Sequence, residues 1–124
     1  RNLHGHRYVL EITLTGDVVQ APGESDNGMV MDFSEIKHIA KTHIVDVWDH
    51  AFLVYEGDTA VRGFLDTLPG HKTVVLDRIP TAENLATIVF ETLAPHYHGH
   101  YGAELRLTRV RLYETPNCWA DCNG

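Results

Sequence analysis

The stretch Arg7–Thr15 (RYVLEITLT) is the part of the sequence that decides the class of fold. Apolar and polar residues alternate along it, which is the pattern of a β-strand with one buried face. A loop rich in Gly, Pro, Asp and Asn follows over Gly16–Gly28, and the short apolar run Gly28–Met31 then fits a second strand that pairs with the first as a hairpin. The residues expected on the buried face of the first strand are Tyr8, Leu10, Ile12 and Leu14.

Beyond the predicted hairpin, apolar residues recur at helical spacing in three stretches. These stretches are 34–50, 58–70 and 81–95. Asp32 or Ser34 can cap the first helix and Thr81 can cap the last. Pro95 has no N–H to donate, so we expect it to end the last helix and to leave His96–Gly102 as a polar loop.

Three further stretches favour strands. Lys72–Leu76 fits a brief strand, Ala103–Tyr113 a long one, and Asn117–Cys122 a short last one. The apolar phase of the long strand changes midway, which predicts a β-bulge near Thr108-Arg109. Residues 1–124 are therefore expected to form a single α+β domain, with a sheet that carries its helices on one face.

Composition excludes several classes of function. The net charge of −7 argues against a broad phosphate-backbone footprint, so nucleic acid is not an expected partner. No apolar run reaches the length of a membrane-spanning helix, and there is no signal-peptide pattern. Cys118 and Cys122 are expected to be free thiols in the reducing cytoplasm. Nine histidines in 124 residues raise the expectation of a metal or proton-transfer site.

The motif His4-Gly5-His6 lies just before the first predicted strand. In an extended backbone, the two imidazoles project from the same face and can reach one metal ion, for which zinc is suited. The alternative is a polar strand edge. His98-Gly99-His100 is a rival metal motif, but it is expected in a loop with no nearby acid to orient the rings.

Four other residues could carry chemistry. Asp49-His50 lies where the first long helix ends, and histidine is the usual proton shuttle, although a His in a last helical turn also favours the helix dipole. Neighbouring residues point in different directions, so Asp49 need not orient His50. Glu83 lies in a first helical turn, where the dipole alone favours an acid. Glu114 ends the long strand just before a loop, a position that often carries function.

Taken together, five fragments resemble the 6-pyruvoyl-tetrahydropterin synthase and 6-carboxytetrahydropterin synthase family in order and spacing. These fragments are Leu3–His6, Gly28–Phe33, Asp49-His50, Pro80–Asn84 and Tyr113–Thr115. A leucine before the first histidine, as at Leu3, resembles the pattern of the 6-carboxytetrahydropterin synthase branch. The resemblance implies the tunnelling fold, an antiparallel four-stranded sheet with two helices packed on one face.

The resemblance also implies roles for individual residues. His4 and His6 look like two of three zinc ligands, with Asp49, His50 and Glu114 as catalytic groups and Thr81 and Glu83 as substrate-binding residues. In this reading Glu83 anchors the pterin ring. The third zinc ligand is expected on an N-terminal strand that this sequence lacks, and the catalytic cysteine is expected immediately before Arg1.

The activity that the resemblance implies is a zinc-dependent lyase. It would convert 7,8-dihydroneopterin triphosphate to 6-carboxytetrahydropterin in queuosine biosynthesis, in a cytoplasmic homo-hexamer made of two trimers with active sites at subunit interfaces. Two alternatives remain open. One is the 6-pyruvoyl-tetrahydropterin synthase reaction, and the other is a non-catalytic protein that binds a pterin or purine or assembles a larger complex.

Overall fold

A long central strand, β4 (Leu105–Thr115), organises the sheet in the computed structural model, which describes residues 8–16, 33–68, 70, 72–102 and 105–124. It lies between β1 (Val9–Gly16) and β5 (Cys118–Asn123), and both neighbours run antiparallel to it. The strands predicted at the start and end of the sequence are thereby confirmed. The predicted strand Gly28–Met31 lies outside the described residues, so the described sheet has three strands rather than four.

Two irregularities interrupt β4. Thr13 pairs with Arg109 and Leu14 with Leu107, so Thr108 is an extra residue with no paired residue in the β1 register, and the predicted bulge is confirmed. This extra residue lets side chains of both apolar phases face the same core. A second shift of register occurs in the pairing of β4 with β5, between the Tyr113–Trp119 pair and the Thr115–Cys118 pair. Glu114 is the extra residue there, and the sequence did not predict this second bulge.

The core forms where the long helix α4 (Ala82–Tyr101) packs on the sheet. Its side of the interface is fully buried at Leu85, Ala86, Val89, Leu93 and Tyr97. Thr81 caps the helix as predicted, since its Oγ1 accepts a hydrogen bond from the Asn84 N–H at 3.1 Å. The Tyr97 hydroxyl donates to the Ile36 carbonyl at 2.8 Å, and burial raises the pKa of Tyr97 to about 12.

The prediction that Pro95 ends this helix is wrong. The helix continues through Pro95 to Tyr101, so the expected loop over His96–Gly102 is helical as well. Pro95 removes one intrahelical hydrogen bond but is exposed to solvent, while the neighbouring turns bury apolar side chains that hold the helix on the sheet. The helix ends at Gly102, whose φ of 65° is a conformation that glycine adopts readily.

The first predicted long helix is confirmed, although its winding is irregular. It comprises α1 (Phe33–Ala40), a π-helical segment (Lys41–Val45) and α2 (Asp46–Trp48) in continuous succession. A π-helical turn adds a residue to the turn and often marks a functional region. Here it precedes the turn that carries Asp49 and His50.

A second sheet lies between the two long helices in sequence. Strand β2 (Ala51–Tyr55), which the sequence did not predict, pairs in parallel with β3 (Lys72–Leu76), which it did. The short helix α3 (Thr59–Asp66) connects them, as a parallel pair requires a crossover, and Asp58 caps it. The main sheet is antiparallel as expected, and the parallel β2–β3 pair is a separate sheet that was not expected. Buried Leu76 joins this unit to the core.

Cys118 and Cys122 are free thiols, as predicted. Within the described ranges, no helix is both long enough and apolar enough to cross a membrane.

Candidate active site

The Asp49-His50 pair lies in the turn between α2 and β2. The Asp49 N–H donates to the Val45 carbonyl at 2.9 Å, and the backbone then leaves the helix, with φ −62° and ψ 127° at Asp49. His50 has a φ of 58°, the left-handed region that residues other than glycine seldom occupy. Such backbone strain is concentrated at functional sites, so the turn itself indicates a role for these side chains.

The two side chains touch each other. His50 Nδ1 lies 3.1 Å from Asp49 Oδ1, so the expectation that these neighbours point apart is wrong. The left-handed backbone at His50 turns its imidazole back towards the preceding carboxylate. The pair is also open to solvent, since the side chains are 90% exposed at His50 and 63% at Asp49. The arrangement lets the carboxylate orient the ring through Nδ1 while Nε2 exchanges a proton.

Glu114 occupies the second bulge of β4, at the end of the sheet where β1 begins. Bulges re-aim side chains beside active sites, and the half-buried Glu114 carboxylate accepts a long hydrogen bond from the Cys118 thiol, with Sγ 3.8 Å from Oε1. Tyr8 lies nearby: burial raises the pKa of its hydroxyl, and the charge of Glu114 raises it further. In sequence, Tyr8 follows His6 by two residues.

Glu83 and Thr81 lie together at the start of α4. Glu83 is exposed in the first helical turn. The turn that presents it is well braced, because Asn84 Nδ2 donates to the Ile79 carbonyl at 2.8 Å and Thr87 Oγ1 donates to the Glu83 carbonyl at 3.0 Å. The Thr81 hydroxyl is engaged in the helix cap, so any contact that it makes with a substrate would use its remaining donor capacity.

These groups come from three separate elements of the chain. Within the described part, no hydrogen bond or ion pair joins the Asp49-His50 pair to Glu83 or to Glu114. The same part contains no group of three or more His, Cys, Asp or Glu side chains that could hold a metal ion. His4 and His6, the predicted zinc ligands, lie outside the described residues, so their roles stay predictions.

The rival histidine motif has a different environment from the one expected. His98 and His100 lie on α4 rather than in a loop, and residues two apart on a helix project in nearly opposite directions. An acid is also close, since His100 Nε2 lies 2.5 Å from Glu35 Oε1, which accepts a hydrogen bond from the Tyr101 hydroxyl as well. The convergence that a shared metal requires is therefore lost.

Two contacts of the site were missed by sequence reasoning. Cys118 reaches Glu114 only because of the bulge, for which the sequence carries no clear signal. Lys72 lies 23 positions after Asp49 in the sequence, yet its Nζ donates a hydrogen bond to the Asp49 carbonyl at the end of α2. The apolar run Ala51–Tyr55 (AFLVY) could have predicted β2. Pairing of β2 with β3 places Lys72 beside Ala51, next to the Asp49-His50 turn.

The sequence matches the family model described as 6-pyruvoyl tetrahydropterin synthase over residues 1–124. It is 35% identical over 119 residues to 6-carboxy-5,6,7,8-tetrahydropterin synthase from Rickettsia bellii, covering 96% of this chain and 81% of that protein. It is 36% identical over 120 residues to the protein of the same name from Rickettsia felis, again covering 96% and 81%.

A solved structure has the same fold. The crystal structure of an uncharacterized protein from Wolinella succinogenes superimposes with a TM-score of 0.74 at 22% identity, covering 100% of this chain and 80% of that one. That likeness concerns the fold alone. With the match along the whole sequence and relatives above one-third identity, the chain belongs to the 6-pyruvoyl tetrahydropterin synthase family of enzymes.

Proposed function

We propose that the protein is a zinc-dependent lyase that converts 7,8-dihydroneopterin triphosphate to 6-carboxy-5,6,7,8-tetrahydropterin, with release of acetaldehyde and triphosphate. The observation that carries the proposal is the similarity, over nearly the whole chain, to two proteins that bear the name of this activity. The proposed setting is queuosine biosynthesis in the cytoplasm.

The Asp49-His50 pair supports a proton-transfer step. In the proposed reaction His50 takes up and returns protons at Nε2, while Asp49, 3.1 Å from Nδ1, keeps the ring in one orientation. The solvent exposure of the pair suits a group that meets a substrate or a neighbouring subunit. Glu114, held in its bulge with the Cys118 thiol, is proposed as a second member of the proton relay.

Zinc is proposed as the cofactor, with His4 and His6 as two of its ligands. The donor chemistry fits, because two imidazoles separated by a glycine suit a zinc site with a third protein ligand. When bound, zinc would stabilise negative charge that develops on a substrate oxygen.

The zinc assignment predicts the metal content of a variant. Replacing His6 with Ala in the full-length protein removes one imidazole ligand, so we expect the purified variant to lose most of its zinc. Metal content measured by mass spectrometry of the purified protein checks this. His98→Ala is the matched control, since it removes an imidazole from the rival motif; zinc that stays in His6→Ala and leaves with His98→Ala would contradict the assignment.

Glu83 is proposed to anchor the pterin by accepting two parallel N–H hydrogen bonds. Replacing Glu83 with Ala should therefore raise KM about 10- to 100-fold, because a charge-assisted pair of hydrogen bonds is lost. Steady-state kinetics check this, with Glu91→Ala as a control on the same helix. An unchanged KM in Glu83→Ala would show that the acid serves only the helix dipole.

Product analysis tests the reaction itself. The purified protein is incubated with 7,8-dihydroneopterin triphosphate and zinc, and we expect acetaldehyde and the 6-carboxy pterin in equal amounts. The second candidate, the 6-pyruvoyl reaction, is favoured by the description of the matching family model and would yield 6-pyruvoyl-tetrahydropterin without acetaldehyde. Binding of the pterin without turnover would instead support a non-catalytic member of the family.

A further inference from the structure

The last turn of α2 is held by a side chain from the second sheet. Lys72, the first residue of β3, donates from Nζ to the Asp46 carbonyl at 2.7 Å and to the Asp49 carbonyl at 2.9 Å. The last carbonyls of a helix have no intrahelical partner, and a cation there also favours the helix dipole. One ammonium group therefore joins the final helical turn to the residue that precedes His50.

We propose that Lys72 is a positioning residue that holds the turn carrying Asp49 and His50, and that placing its ammonium is what the β2–α3–β3 unit contributes to the site. The inference rests on the proposed function, because it takes His50 to be the group that moves protons. It concerns only how the pair is held; neither contact of Lys72 is with the His50 ring.

The register of the second sheet accounts for the position of Lys72. Ala51, which directly follows His50, pairs with Lys72 at the start of both parallel strands. This Ala51–Lys72 pair thus fixes the distance between the backbone of Lys72 and the end of α2. The side chain then spans from β3 back to the two carbonyls, so the turn is fastened both after His50, by β2, and before it, by Lys72.

The strain at His50 explains why the two hydrogen bonds from Lys72 matter. A left-handed conformation costs an ordinary residue roughly 1–2 kcal/mol, so the turn relaxes unless its surroundings hold it. The 3.1 Å contact between Asp49 and His50 is made in that conformation. Lys41, also near this helix end, pairs with the Asp46 carboxylate at 3.0 Å. In the described part of the chain it contacts no backbone carbonyl of the turn, which makes it a matched comparison.

The test compares Lys72→Met, which keeps the length of the side chain but not its donors, with Lys72→Arg, which restores donors, and with Lys41→Met. In the full-length protein, we expect Lys72→Met to lower kcat about 10- to 100-fold with little change in KM, as a displaced catalytic group does. Lys72→Arg should recover most of the loss, and Lys41→Met should behave as the wild type.

Two further measurements do not depend on turnover. The His50 ring signal in a ¹³C-histidine NMR spectrum should shift in Lys72→Met but not in Lys41→Met. Hydrogen exchange of the Asp49 amide, which donates to the Val45 carbonyl, should become faster only when Lys72 is replaced.

The outcomes separate the two proposals. If the wild type does not turn over the pterin but the His50 signal and the Asp49 exchange respond as expected, the proposed function fails and the positioning role stands. If kcat, the His50 signal and the Asp49 exchange are unchanged in Lys72→Met, or if only the melting temperature falls, Lys72 contributes stability alone and the inference is overturned.

Discussion

At the scale of single residues, His50 combines a strained backbone with an exposed ring. Its φ of 58° carries a cost that glycine would not incur, while within the described residues its side chain pairs with Asp49 and is otherwise exposed. Selection for stability alone would favour Gly or Asn at this position, because both accept the left-handed conformation. The presence of histidine supports the proton-transfer role that we propose for its ring.

This strain predicts a difference between two variants that both lack the ring. His50→Gly should be more stable than His50→Ala by about 1 kcal/mol, because Gly relieves the left-handed strain and Ala does not. Urea unfolding of both variants measures the difference, and both should be inactive. Equal stabilities would mean that the turn relaxes once the imidazole is gone.

Sequence reasoning identified the candidate residues at this scale but not their contacts. The adjacency of Asp49 and His50 is visible in the sequence, whereas the backbone rotation that brings them within 3.1 Å is not. Glu114 was singled out by its place at a strand end, yet its contact with Cys118 depends on a bulge whose position is decided by pairing with β5. The local sequence pattern identifies the candidate residues, whereas their contacts depend on backbone conformation and strand pairing.

At the scale of elements, α4 shows how packing overrides a local rule. Pro95 is a helix breaker by its covalent structure, but fully buried Leu93 and Tyr97 on either side keep the helix on the sheet. The buried stripe extends past the proline to Tyr97, so apolar spacing predicts the continuation of this helix better than the proline does. The same lesson applies to Ala51–Tyr55, a short apolar run that forms a strand.

The proline predicts a gain in stability on replacement. Pro95→Ala restores an N–H that can donate to the Glu91 carbonyl, so the free energy of unfolding should rise, by at most about 3 kcal/mol. Urea unfolding checks this, with half-buried Thr92→Ala on the same helix as a reference for ordinary propensity. A loss of stability would show that α4 requires the proline for its packing, for instance to stack His96 on His43, whose ring centroids lie 3.6 Å apart.

At the scale of the whole molecule, the sheet has one face covered by α4 and one face without a cover in the described chain. Alternation along the strands places Trp119 and Val9 on the uncovered face, where they are 47% and 57% exposed. Beside them, Arg111 forms a two-point ion pair with Asp121 at 2.7 and 2.9 Å, and the hydrogen bond from Arg111 lowers the pKa of that carboxyl.

We propose that the homo-hexamer of two trimers, which the family resemblance implies, uses this face as a contact between subunits. We expect the full-length protein to have the mass of a hexamer in light scattering. Trp119→Glu should shift it to smaller species, because a charge enters an apolar contact. Phe64→Glu, on α3 and 51% exposed, should leave the mass unchanged. A monomeric wild type would contradict the expectation.

The α+β class, the start of the core helix and the first bulge of β4 followed from periodicity, whereas the second bulge and the parallel β2–β3 pair did not. That pair has a consequence for how the enzyme fails on heating. The β2–α3–β3 unit is a small layer beside the main sheet, and such layers open in local fluctuations at lower free energy than the body of a protein. Lys72 belongs to this unit and holds the Asp49-His50 turn. We therefore expect local melting of the unit to release the turn while α4 and β4 remain folded. Heat inactivation should therefore precede global unfolding.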